Sequence, residues 1–197
     1  MRSDALANQR KIVEAATRLM AEQGLEAELT DIAHEAGVGV GTVYRCVGNR
    51  DQVIETIVRE MVGETAASFD DAEAGDGSVA NLTSLVERLH QTVRTYGWVH
   101  AALIGGRGRE ELRSEMRAVD PLGRFQRLYE RAQRTGGLRQ DIEPDVAAAL
   151  ILGTLAPWSA MALSARGDAR GAAEAVLSPF LATTPATTTT TAEEAHS

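Results

Sequence analysis

The chain has 197 residues, 44% hydrophobic and 24% charged, with a single cysteine and a formal net charge of -8. That is the composition of a globular protein large enough to bury a core without disulfide or metal staples, and it sets aside the disordered and disulfide-framework classes. The acidity also weighs against non-specific coating of nucleic acid, but it is uneven: residues 1–50 carry six Lys/Arg against seven Asp/Glu, and residues 51–120 carry seven against thirteen. A near-neutral N-terminal segment can still present a basic surface locally.

The first eleven residues contain no apolar stretch of the kind a secretory signal needs, which together with the lone Cys46 predicts a cytoplasmic protein. One segment, Val146 to Leu163, is apolar at 14 of 18 positions, but six are alanines and Gly153, Thr154, Pro157 and Ser159 dilute it further. It reads as a helix buried between protein surfaces, with no membrane contact.

Proline is absent before residue 121, and glycines punctuate runs of apolar residues spaced three and four apart, so the fold class is all-α. Helix one is predicted over about 5–23, with Ile12, Ala15, Ala16, Leu19 and Met20 on one face and Gly24 as its stop. Helix two begins at Thr30, read as an N-cap, and ends at Gly37; helix three covers about 40–47. Helix four opens on Asn49, with Gln52 completing a capping box, and the acidic stretch Asp70 to Gly77 reads as a loop. Further helices are predicted over about 79–96, 98–104, 110–119, 121–134, 145–163 and 169–181, with Pro157 interrupting the penultimate one. The division is a helix-turn-helix module at 1–50, a larger helical domain at 51–182, and a threonine-rich tail at 183–197 read as disordered.

Two short helices joined by Gly37-Val38-Gly39 have helix-turn-helix spacing. Ala33 is small at the crossing, Gly37 suits a left-handed helix end, and Val38 and Val43 face inward. The outer face of helix three then offers Val40, Thr42, Tyr44, Arg45 and Cys46, whose polar members can reach phosphates and base edges in a major groove.

The run from Leu29 to Arg45, followed by Gly48-Asn49-Arg50-Asp51 and preceded by the helix carrying Ile12 to Ala16 and Leu19 to Gly24, resembles the DNA-binding module of the TetR family of transcriptional repressors. The resemblance implies that Thr30, Thr42, Tyr44 and Arg50 touch phosphates while Val40, Gly41, Thr42 and Arg45 lie nearest the bases. It also implies a homodimer on palindromic double-stranded DNA, released from it by a small-molecule effector. Several positions depart from the family pattern. Val40 stands where many relatives carry lysine, Cys46 where they often carry histidine, Val47 for phenylalanine and Gly48 for proline. A missing lysine reduces the salt-dependent phosphate contribution. The competing reading is a helical small-molecule binding or interaction protein with a degenerate helix-turn-helix.

Beyond residue 78, His90, Trp98, Phe125, Tyr129, Trp158 and Met161 are candidates either to fill the core or to line a ligand cavity, with His100 and Arg107 as further polar contacts. Glu87 and His90 form a single Glu-x-x-His without the second copy that a di-metal bundle needs, so no metal or other cofactor is expected. No nucleophile motif or phosphate loop assembles, and the chain is not expected to be an enzyme. The penultimate helix is apolar on nearly all sides, which predicts a dimer interface built from Leu150, Ile151 and Leu155 with Val176 and Phe180 of the last helix.

Overall fold

The computed structural model describes residues 2–99, 110–156, 159 and 167–182. Among these the regular elements are helical: α1 (Arg2–Gln23), α2 (Leu29–Glu35), α3 (Val40–Cys46), α4 (Arg50–Ala74), α5 (Val79–Tyr96), α6 (Glu110–Val119), α7 (Pro121–Arg134), α8 (Pro144–Gly153) and α9 (Ala169–Leu177), with 3-10 turns at Gly24–Glu26 and Ser178–Phe180. No described helix is long and apolar enough to cross a membrane.

The helices enclose two cores. α1, α2 and α3 pack on one another around Ile12, Met20, Ile32 and Val43, and the first two turns of α4 complete that core with Val53, Ile54, Ile57 and Val58. The remaining helices surround Phe69, Leu85, Phe125, Leu128, Tyr129, Ile151 and Leu177, with α5 packed against α9 and α7 against α8. Each such large side chain contributes about 1.5–3 kcal/mol when fully withdrawn from water, so each core is held mainly by its apolar stripes. α4 belongs to both cores and connects them physically.

Two element boundaries differ from the sequence expectation. Thr30 is not the cap of α2: the helix starts at Leu29, Glu28 is the N-cap and makes no side-chain capping bond, and Thr30 lies inside the first turn. The supposed acidic loop from Asp70 is helical as far as Ala74. Phe69 and Ala72 are buried in the C-terminal core, while Asp70 and Glu73 face outward and clasp Arg124 of α7, whose Nη2 lies 2.6 Å from Asp70 Oδ1 and 2.6 Å from Glu73 Oε2. Arg124 also sits 5.2 Å from the centre of the Phe69 ring. A loop-like composition is thereby held helical by a partner more than fifty residues away.

α8 ends at Gly153, short of the expected Leu163. The Thr154 N–H turns back to Ile151 O at 3.1 Å. The expected interruption at Pro157, the helix over 98–104 beyond Val99, and the tail at 183–197 lie outside the described residues. At the other end of the molecule, the backbone of Arg139 donates to Phe180 O and that of Ala182 to Gly137 O, tying the last turn to the α7–α8 connection.

Candidate nucleic-acid interface

The α2–α3 corner is fixed by backbone hydrogen bonds. Gly37 takes a left-handed φ of +66°, its N–H donates to His34 O at 3.0 Å, and the Val38 N–H donates to Ala33 O at 2.9 Å. That pair of bonds is a Schellman ending, and it satisfies carbonyls the end of a helix would otherwise leave open. Buried Ala33 and Val43 let the two helices cross closely.

The second fixed point is the start of α4. The Asn49 side chain accepts from the Gln52 N–H at 3.0 Å and the Gln52 side chain accepts from the Asn49 N–H at 2.9 Å, the reciprocal box expected from the sequence. Gly48, at the family's usual proline position, has φ +110°, which proline's ring cannot adopt, and a Cβ there would collide with the Gln52 carboxamide. The left-handed turn at Gly48 thus stands directly before the capping box, with the Gln52 side chain packed beside it.

Between these points α3 presents Gly41, Tyr44 and Arg45 to solvent on one face, with Tyr44 55% exposed. Nothing lies within 4 Å of the space beside Gly41. The Arg45 guanidinium folds over its own helix, Nε donating to Gly41 O at 3.3 Å and Nη2 to Thr42 Oγ1 at 3.2 Å. Both bonds are long and solvent-exposed, so a better acceptor can replace them at little cost. Thr42 on the same helix is half-buried, and Thr30 in the first turn of α2 is exposed.

Two positions expected to face outward, Val40 and Cys46, turn inward. Val40, Cys46 and Val47 are half-buried and pack against the N-terminal core, so Val40 and Cys46 stabilise α3 more than they extend its reading face. Cys46 is accordingly a packing residue in this geometry. Arg50 has a structural bond as well: its Nε donates to Ala27 O at 3.2 Å, clipping α4 to the link between α1 and α2.

The ligand-binding candidates fall differently. An apolar cavity of about 270 Å³ lies between α4, α5, α6 and the end of α8. From α4 and α5 its wall takes Met61, Thr65, Phe69, Leu89, Val93 and Tyr96; Met116, Pro121 and Leu152 close it from the other side. None of the six sequence candidates is among its described lining residues. Phe125 and Tyr129 are fully buried in the C-terminal core, and Trp98 packs against the N-terminal core. Trp158 and Met161 lie outside the described residues, as do His100 and Arg107.

His90 is buried beside the cavity. The Thr154 hydroxyl already donates to Ile151 O at 2.6 Å, so it accepts from His90 Nε2–H at 3.3 Å, which fixes the neutral tautomer. Burial pushes the His90 pKa below its ordinary value. Glu87 points instead toward Arg170 of α9, so the Glu-x-x-His pair does not converge.

The residues that do line the cavity were legible only as core stripe. Tyr96 was missed altogether, although its hydroxyl donates to Glu64 Oε1 on α4 at 2.9 Å and burial pushes its pKa up.

Of the five interface candidates, Leu150 alone is widely exposed, at 59%. Ile151, Val176 and Phe180 are buried within the protomer, Phe180 edge-on to Tyr129 with ring centres 6.2 Å apart, and Leu155 is half-buried in the cavity wall. These three buried residues are used inside one chain and are not available to a second. The open apolar stripe is instead Val146, Ala149, Leu150 and Gly153, one face of α8 at helical spacing.

Residues 12–57 match the family model described as bacterial regulatory proteins, tetR family. A TetR transcription regulatory protein from Mycobacterium vanbaalenii is similar in structure, with 27% identity, coverage of 77% of this chain and 91% of that one, and a TM-score of 0.61. A TetR transcriptional regulator from Streptomyces coelicolor is 27% identical over 89% of this chain and 99% of its own, with a TM-score of 0.62. A structure described as AibR in complex with isovaleryl coenzyme A and operator DNA shares the fold at 17% identity, covering 88% of this chain and 97% of that one, with a TM-score of 0.65. A comparison with curated proteins finds no match.

Proposed function

We propose, from the premise that the chain is a TetR-family transcriptional regulator, that it represses transcription by holding a palindromic operator as a homodimer and releases it when a small molecule binds. The observation that carries this reading is the face formed by Gly41, Tyr44 and Arg45, exposed on a helix whose opposite side is locked into a closed core. A helix clamped on one side and bare on the other can enter a major groove without rearranging.

In this reading Arg45 reads a base, with Gly41 allowing the backbone to approach, and Tyr44, Thr42, Thr30 and Arg50 meet phosphates. Val40 contributes an apolar edge. The working division is a DNA-binding unit that includes the first turns of α4 and an effector and dimerisation unit beyond them. The exposed Val146–Leu150 stripe supports dimerisation through α8, since paired half-site readers bury more surface than one. AibR's bound acyl thioester and operator show that this fold accommodates both kinds of partner in that protein, which supports an effector role for the cavity here.

The experiment is a pair of substitutions measured against a selected operator by fluorescence anisotropy. Arg45→Ala should weaken binding by about 1–3 kcal/mol and relax preference at one position per half-site. Tyr44→Phe should weaken all sequences alike. Unchanged affinity and preference in both variants would reject α3 as the reading helix.

A further inference from the structure

The polar groups of the cavity wall restrict what it can hold. Among its described lining residues none is charged, and the polar side chains are three hydroxyls. Each has already committed its proton: Thr65 Oγ1 donates to Met61 O at 2.8 Å, Thr92 Oγ1 to Arg88 O at 3.1 Å, and Tyr96 OH to Glu64 Oε1 at 2.9 Å. These described side chains therefore offer a ligand lone pairs to donate into, and among them there is no free proton or positive charge.

We infer that the cavity binds an uncharged, largely aromatic molecule whose polar group is a hydrogen-bond donor, such as an aryl amine or a phenol. The inference rests on the effector reading above and names the chemistry of that effector. A carboxylate or phosphate brought against these described side chains would lose its hydration and find no donor among them, a cost that offsets the gain from burial. Met61, Met116 and the Phe69 ring suit an aromatic partner, because thioethers and ring edges both pack favourably against a π face. The volume of about 270 Å³ lies just below the usual range of about 300–1,000 Å³ for small-molecule pockets, which favours a compact skeleton of two or three rings.

The position also explains how such a ligand acts. Met61, Tyr96 and Val99 line the cavity and belong to the N-terminal core as well, so a molecule lodged there bears on the same packing that orients the DNA-binding helices. Binding shifts DNA affinity only insofar as the ligand favours one arrangement of that shared packing, and the operator must weaken the ligand by the same factor.

The test uses two fluorescent probes with one skeleton: phenylnaphthylamine, which is neutral and carries one N–H, and anilinonaphthalene sulfonate, which adds an anion. Full-length protein should bind the neutral probe saturably and about tenfold or more tighter than the sulfonate. Val93→Lys, which places a cation in the wall, should reverse that order. Leu152→Trp should block the neutral probe while circular dichroism shows the helices intact, and it decides the matter if the lysine variant does not fold. Equal or tighter binding of the sulfonate by the unmodified protein, or neutral-probe binding indifferent to Leu152→Trp, would overturn the inference. Operator affinity measured in the same samples separates the two ideas. Selective binding of the neutral probe without any effect on DNA would uphold the ligand chemistry and reject effector release, whereas DNA binding without probe selectivity would reject the ligand chemistry alone.

Discussion

Replacing Leu150 by arginine separates the surface between protomers from the core within one. In the protomer Leu150 is 59% exposed and Val146, one turn earlier, 48% exposed, so neither supports the fold much on its own. Full burial of a leucine side chain is worth about 1.5–3 kcal/mol, and covering the exposed fraction in a dimer is worth about 1–2 kcal/mol per copy. A two-fold axis counts the loss twice, giving about 2–4 kcal/mol before the penalty of two unpaired guanidinium groups brought together. With about 1.4 kcal/mol per factor of ten, that loss alone should raise the dimer dissociation constant by about 30-fold to 700-fold. Sedimentation velocity at micromolar concentration should show the wild-type protein as a dimer and Leu150→Arg as a monomer, with far-ultraviolet circular dichroism unchanged. Val176→Arg is the contrasting control: Val176 is buried against the protomer's own core, so that variant should lose helicity and melt early. A Leu150→Arg protein that remains a dimer with an unchanged dissociation constant would refute the assignment of α8 as the interface.

Asn49→Ala removes one half of the capping box and should cost about 1 kcal/mol, lowering Tm by roughly 2–4 °C in a chain of this size, while Asn49→Asp should not. Tyr96→Phe deletes the donor to Glu64 and keeps the ring in the cavity wall; it should cost about 1 kcal/mol in urea denaturation, retain the neutral probe and weaken the probe's effect on operator affinity. His90 has a folded pKa below its ordinary value near 6.5, so the stability it supports is fully present above that value and is lost as pH falls through the depressed one. The urea midpoint should therefore drop as pH falls below about 6.5, and His90→Gln, which keeps a nitrogen donor near Thr154 without a titrating ring, should flatten that drop. An equal slope in both proteins would show that other groups carry it.

The elements that could be read from the sequence are those whose ends are written locally. Ser78 and Gly97 bound α5, the Asp120-Pro121 pair separates α6 from α7, and Asn49 with Gln52 marks the start of α4. The end of α4 could not be read that way, because Asp70 and Glu73 look like loop residues until Arg124 is brought to them by the fold. The exposed face of α3 follows from helical spacing around Val43, yet the inward lean of Val40 depends on the core beneath it. The largest differences concern apolar stripes. A stripe records that a surface will be covered and is silent on whether the cover is the same chain, a second copy or a ligand. Ile151, Val176 and Phe180 are covered internally, Val146 and Leu150 are left open, and the aromatics Phe125 and Tyr129 fill the core while Tyr96 lines the cavity.

Selection from a random pool of double-stranded DNA by the purified full-length protein tests the central claim most directly. The account predicts enrichment of a palindrome whose half-sites are spaced by about one helical turn, 34–36 Å, or a multiple of it, as two α3 helices across a two-fold axis require. Its salt dependence should be shallow for a repressor, because Arg45 and Arg50 are the only cations of residues 26–60 besides Arg59, which is paired with Glu55 at 2.6 Å. A pool that yields no palindrome, or one that Arg45→Ala enriches just as well, would contradict the reading of this protein as an operator-binding repressor.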